Sequence, residues 1–216
     1  MNIISQLIDF VLHIDEHLAV IFQDYGSWAF MILFLIIFCE TGLVVTPFLP
    51  GDSLIFALGA LHESVDIKLA FIILAMAAIG GDATNYFIGK FIGQKIIEYK
   101  KIRLVKQEHI DKTHAFFDKH GGKAIVLSRF FPIIRTFAPF VAGIGKMKYL
   151  HFFVYNVVGG ITWITLFLTF GYFFGNIPAV KDNFTFVVVA IVLISAVPAL
   201  VTFIKSKRSK VSTKAN

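Results

Sequence analysis

Four side chains of opposite charge stand in two stretches that are otherwise mostly apolar. Glu40 and Asp52 lie between Trp28 and Leu61, and Arg129 and Arg135 lie between positions 124 and 145. These residue types suit proton and phosphate chemistry. A carboxylate at low dielectric can take up and give back a proton, and a guanidinium grips phosphate through two parallel N–H bonds. One stretch is acidic and the other basic, so if they face each other each offsets the other's desolvation cost. Glu40 is the better proton carrier, because its neighbours Phe38, Cys39 and Leu43 are largely apolar. Asp52 follows Pro50-Gly51 and precedes Ser53, the pattern of a helix cap, which is compatible with a role in the site. The bland alternative is that all four are ionic staples between helices. A third acid, Asp82, sits in the run Gly80-Gly81-Asp82-Ala83-Thr84-Asn85-Tyr86. Asp82, Asn85 and Tyr86 either line the same cavity or form a polar packing patch.

The rest of the chain says what solvent these charges must survive. Of 216 residues, 57% are hydrophobic and 16% charged, against about 45–50% and about 25% in soluble domains. Phe supplies 25 of the aromatic residues, and a single core of this size cannot hide so much apolar surface from water. The surplus faces lipid. In that setting a charge at the centre of a helix costs at least about 2.5–3.5 kcal/mol, so one found there is functional by default. The single cysteine, Cys39, excludes an intramolecular disulfide and any multi-cysteine zinc site.

Charge is distributed unevenly. Residues 1–89 hold one basic residue, Lys68, and nine acids, whereas residues 90–216 hold nineteen basic residues and five acids. The basic residues bracket apolar runs and do not interleave with stacking aromatics, which argues for membrane orientation and against nucleic acid. Neither a phosphate-binding G-x-x-x-x-G-K-[ST] loop nor a G-x-S-x-G nucleophile motif occurs. Ser128-Arg129 resembles part of a lipid-phosphatase motif, but the histidine expected after it is Arg135. No enzymatic step, cofactor or metal is therefore assigned. His13 and His17 lack a third ligand, and His109, His114 and His120 read as a solvated helix face.

The pattern predicts six segments. Residues 1–27 form an amphipathic helix suited to the membrane interface. Residues 28–93 comprise a helical hairpin broken at Pro47, Pro50 and Gly51, followed by a span over Ile67 to Phe91 interrupted by Gly80-Gly81-Asp82. Residues 94–123 are a solvated basic helical segment. Residues 124–175 repeat the plan, with a hairpin broken at Pro132 and Pro139 and then a span from Tyr149 to Gly175. A short loop, Asn176 to Asn183, leads to a last span over 184–204, and residues 205–216 are a basic tail. Excess Lys and Arg put 94–123 and the tail in the cytoplasm. The acidic N-terminal helix then lies at the outer face.

A period of about 80 residues links the two halves, since Gly80-Gly81 and Gly89-x-x-x-Gly93 recur as Gly159-Gly160 and Gly171-x-x-x-Gly175. One hairpin plus one crossing per unit inverts the second copy. The expected fold is an all-α polytopic membrane protein, an inverted repeat with two re-entrant helical hairpins meeting near the midplane, where irregular backbone is tolerated only inside protein or a cavity.

Three runs carry a family resemblance: Phe38-Cys39-Glu40-Thr41-Gly42 through Phe48-Leu49-Pro50-Gly51-Asp52-Ser53-Leu54, Gly81-Asp82-Ala83-Thr84-Asn85-Tyr86-Phe87-Ile88-Gly89, and Arg129-Phe130-Phe131-Pro132 through Arg135 to Gly143. The chain resembles the DedA family, which carries a VTT-type domain. That resemblance implies a multi-pass protein of the bacterial inner membrane with re-entrant hairpins, dependence on proton-motive force, and translocation of undecaprenyl phosphate or a phospholipid. The family's functional acids and arginines match Glu40, Asp52, Arg129 and Arg135. The leading expectation is a proton-coupled lipid translocase whose partners are membrane lipids and protons, with self-association left open. A proton or cation antiporter and a membrane scaffold are the alternatives.

Overall fold

The computed structural model describes residues 14–43, 51–98, 121–181, 183–187 and 189–191. Every regular element among them is helical. The expected residues 1–13 of the interfacial helix, the turn at Pro47 and Pro50, most of the basic segment with His109, His114 and His120, and the basic tail lie outside the described residues, as does His13.

Helix α1 spans Ile14–Tyr25 and turns at Gly26, whose φ of 52° suits glycine. Helix α2, Trp28–Gly42, has no internal proline to stop it and ends at Leu43, which is extended. Helix α3, Gly51–Ala60, begins directly after Pro50. Asp66 then starts α4, its Oδ1 accepting the backbone N–H of Lys68 at 3.0 Å and of Leu69 at 3.1 Å. Helix α4 runs unbroken over Ile67–Glu98. The glycines and Asp82 therefore do not interrupt it, and it continues past the boundary at 93 read from hydropathy. Glycine lowers helix propensity, but packing against a neighbour outweighs that here.

Helices α5, Lys123–Ser128, and α6, Pro132–Ile144, form the second broken segment, with Pro132 at the start of α6 where a missing N–H is harmless. Helix α7 covers Tyr149–Phe174, and one further turn, α8, covers Pro178–Lys181 inside the expected loop. Residues 184–187 and 189–191 are helical; the remainder of the expected last span lies outside the described residues.

Length separates two kinds of helix. Among the described residues only 67–92 within α4 and 149–174 of α7 are long and apolar enough to cross a membrane. At 1.5 Å per residue α2, α3 and α6 reach only about 15–22 Å against a hydrocarbon core of about 30 Å. The short helices pack on the long ones: α2 and α6 lie on α4, while α3 and α5 lie on α7. Each broken segment thus places one arm on each long helix.

Apolar burial between helices is a weak driving force in lipid, so close backbone approach and hydrogen bonds must hold such a bundle. Glycine supplies the approach twice in the same way. Phe56-x-x-Gly59 of α3 sits against Gly171 of α7, where a Cβ on Gly59 would come within 2.9 Å of the Gly171 Cα. Phe140-x-x-Gly143 of α6 sits against Gly89 of α4, where a Cβ on Gly89 would come within 2.9 Å of the Phe140 Cα. Leu33, Ile37, Leu54, Leu58, Leu74 and Ile164 fill the larger core. The outward faces of α4 and α7 carry Leu69, Ile72, Met76, Val154, Val158 and Phe173, as a lipid-facing surface should.

Candidate functional site

The charged residues expected from the sequence gather where the short helices end. Glu40 is near the end of α2 and is fully buried. Asp52 is in the first turn of α3, where the helix dipole favours a carboxylate. Arg135 is in the first turn of α6. Its Nη1 donates to Asp52 Oδ1 at 2.8 Å and its Nη2 donates to Glu40 Oε1. The guanidinium carbon also lies 4.8 Å above the ring of Trp163, whose Nε1–H donates to the same Asp52 oxygen at 2.9 Å. Gly51 lies so close to the Glu40 carboxylate that a Cβ there would strike it. Of the three charged side chains only Asp52 retains appreciable exposure, 14%, against 3% for Arg135 and none for Glu40.

Arg129 does not share these carboxylates. It lies between α5 and α6, and its Nη2 donates to Asp82 Oδ2 and to Asn156 Oδ1, both at 2.5 Å. Asn156 in turn donates to the carbonyl of Ile79 at 3.0 Å. Gly159 makes room for the arginine shaft, since a Cβ there would lie 3.0 Å from Arg129 Cδ. The sequence reading sets both arginines against Glu40 and Asp52, but the geometry divides them. The ends of α2 and α3 converge on the start of α6, whereas Arg129 precedes that helix and meets the polar faces of the two long ones. Asp82 is thereby a full ion-pair partner.

Asn85 is also buried and donates to the carbonyls of Thr41 at 3.2 Å and Thr136 at 2.7 Å. Tyr86 does not join the charged groups. Its ring stacks on Phe152 and its hydroxyl donates to the carbonyl of Met147, so it belongs to a separate small core.

Asn156 and Trp163 were missed in the sequence, although each left a signal. An asparagine in the middle of an apolar span is costly without a partner, and a tryptophan there is away from the membrane interface where it is usually found.

Five ionisable groups thus meet inside the bundle, three carboxylates and two guanidiniums. Arg129 Nε and Nη1 and Arg135 Nε are buried and make no hydrogen bond with any described residue. Chemically the arrangement offers guanidinium N–H groups for an oxyanion and a surplus carboxylate for a proton. Among the described residues no group of three or more His, Cys, Asp or Glu could hold a metal ion.

Known proteins match the chain over most of its length. A family model described as the VTT domain matches residues 49–173. The Escherichia coli protein named DedA is 51% identical over 213 residues, 97% of each chain. An uncharacterized membrane protein of Mycobacterium tuberculosis is 40% identical over 190 residues, 86% of this chain and 83% of its own. The E. coli inner membrane protein YqjA is 30% identical over 151 residues, 69% of each. No solved structure matches.

Proposed function

The chain belongs to the DedA family of VTT-domain membrane proteins, and on that premise we propose that it is a proton-coupled translocase for an anionic lipid such as undecaprenyl phosphate or a phospholipid. It works in the bacterial cytoplasmic membrane with its C-terminus in the cytoplasm, and the two broken segments are re-entrant from opposite sides. Its partners are lipids and protons, and the site performs no covalent step.

One observation carries this reading. Glu40 and Asp52 face Arg135 across the joint between the two broken segments, and Asp82 of α4 faces Arg129, which leaves one negative charge in excess when all five are ionised. One proton on Glu40 or Asp52 brings the set to zero. While both carboxylates are ionised they occupy both ends of the Arg135 fork. A proton on Glu40 weakens its hold on that guanidinium, and a phosphate oxygen can take its place in a bidentate pair. Proton uptake and head-group binding at Arg135, with Arg129 beside it, are thereby linked by competition for the same N–H groups. Asp52, the most exposed member, is the way in.

The test is transport of labelled polyprenyl phosphate in proteoliposomes with and without a pH gradient. Wild-type protein is expected to respond to the gradient, Glu40→Gln to lose that response, and Arg135→Ala to fall to the rate of empty vesicles. Wild-type rates in both variants, normally inserted, would sink the proposal. Proton flux in vesicles made only of zwitterionic lipid would point to an antiporter instead.

A further inference from the structure

We infer that Asn85 is a positioning residue that holds Arg135 against Glu40 and over Trp163, by fastening both broken segments to one point on α4. Its amide nitrogen has two hydrogens, and each goes to a different segment: one to the carbonyl of Thr41 and one to that of Thr136. Those residues directly follow Glu40 and Arg135 in the chain. Two bonds from one planar amide fix the two carbonyl oxygens relative to each other, and each oxygen is a single peptide unit from a member of the ion pair. The Thr41 carbonyl is free to accept because it belongs to the last turn of α2, where no helical N–H remains for it.

The neighbours of Asn85 show why a directional bond is needed. Gly81, one turn before it, packs on Gly42, where a Cβ on Gly42 would come within 3.2 Å of the Gly81 Cα. Gly89, one turn after it, packs on α6 at Phe140 and Gly143. Gly81, Asn85 and Gly89 form one stripe at four-residue spacing, with the first segment seated at one end and the second at the other. Glycine contacts bring backbones close but do not fix register. The asparagine between them does so, and its position at full burial makes loss of either bond costly. This assignment concerns geometry alone and holds whatever the site transports.

Trp163 reports on that geometry, because Arg135 lies over its ring and Asp52 accepts its N–H. The only other tryptophan, Trp28, is 72% exposed and can be replaced. In the full chain carrying Trp28→Phe, in nanodiscs made only of zwitterionic lipid, Arg135→Ala sets the emission shift that follows loss of the guanidinium. Asn85→Ala and Asn85→Asp, which lacks the donors but keeps the shape, are expected to shift Trp163 emission in the same direction. Asn85→Gln, which keeps an amide, is expected to move it back towards the parent. Thr84→Ala, which removes only a hydrogen bond to Gly80 within α4, is expected to leave it unchanged. Should Asn85→Ala fail to insert, Asn85→Ser, with one donor, is expected to give a smaller shift of the same sign. Parent-like emission in a folded Asn85→Ala or Asn85→Ser protein overturns the inference, and so does an equal shift in Thr84→Ala. Because no transport is measured, a failure here is separable from a failure of the translocase proposal.

Discussion

Arg135 and Arg129 lie six positions apart and both are buried, yet they are held in opposite ways. Arg135 joins one broken segment to the other: its partners Glu40 and Asp52 are in α2 and α3, and its third neighbour is Trp163 on α7. Arg129 joins its own segment to the two long helices, through Asp82 of α4 and Asn156 of α7. The first centre has two acids for one guanidinium and one partly exposed member, Asp52. The second is balanced, one acid for one guanidinium, with side chains only 1–2% exposed. A centre with unequal charge and a partly exposed member is suited to exchange. A centre with equal charge and none is suited to holding.

Substitutions can break that contrast or sharpen it. The largest expected effect on stability is from Arg129→Ala, which leaves Asp82 buried and unpaired and should cost about 3–5 kcal/mol, read by denaturant unfolding in detergent. Arg135→Ala also strips fully buried Glu40 of its guanidinium, but it is expected to cost less, about 1–3 kcal/mol, because the proton that Glu40 is proposed to carry neutralises that carboxylate and Asp52 keeps Trp163 and partial exposure, while transport falls to background. Equal losses of stability in the two variants would erase the distinction. Asn156→Ala should come next, at about 1–2 kcal/mol, with the proton dependence of transport retained; a lost pH response would move Asn156 into the exchanging centre. Trp163→Phe, which keeps a ring under Arg135 but drops the bond to Asp52, is expected to cost only about 0.5–1.5 kcal/mol and to alter apparent substrate affinity more than the maximal rate.

The charged residues are legible in the sequence because lipid makes each of them conspicuous. Glu40, Asp52, Asp82, Arg129 and Arg135 all take part in buried ion pairs. The pairing was not legible. Which acid an arginine meets depends on how α6 is turned against α4, and periodicity does not reveal that angle. The repeated glycines on the long helices could be found by self-comparison, but their partners could not. Phe56-x-x-Gly59 and Phe140-x-x-Gly143 look like ordinary helix until the backbones are seen to touch. The run Gly80-Gly81-Asp82 misled for a related reason, because residues that weaken an isolated helix are the ones that let a second helix approach it.

The way the short helices are shared between the long ones has a mechanical result. Each broken segment is pinned at one arm to α4 and at the other to α7, so the long helices act like the two rails of a parallelogram linkage. Sliding one rail past the other would shear both crosspieces together. A cross-link that locks α4 to α7 should therefore arrest both at once.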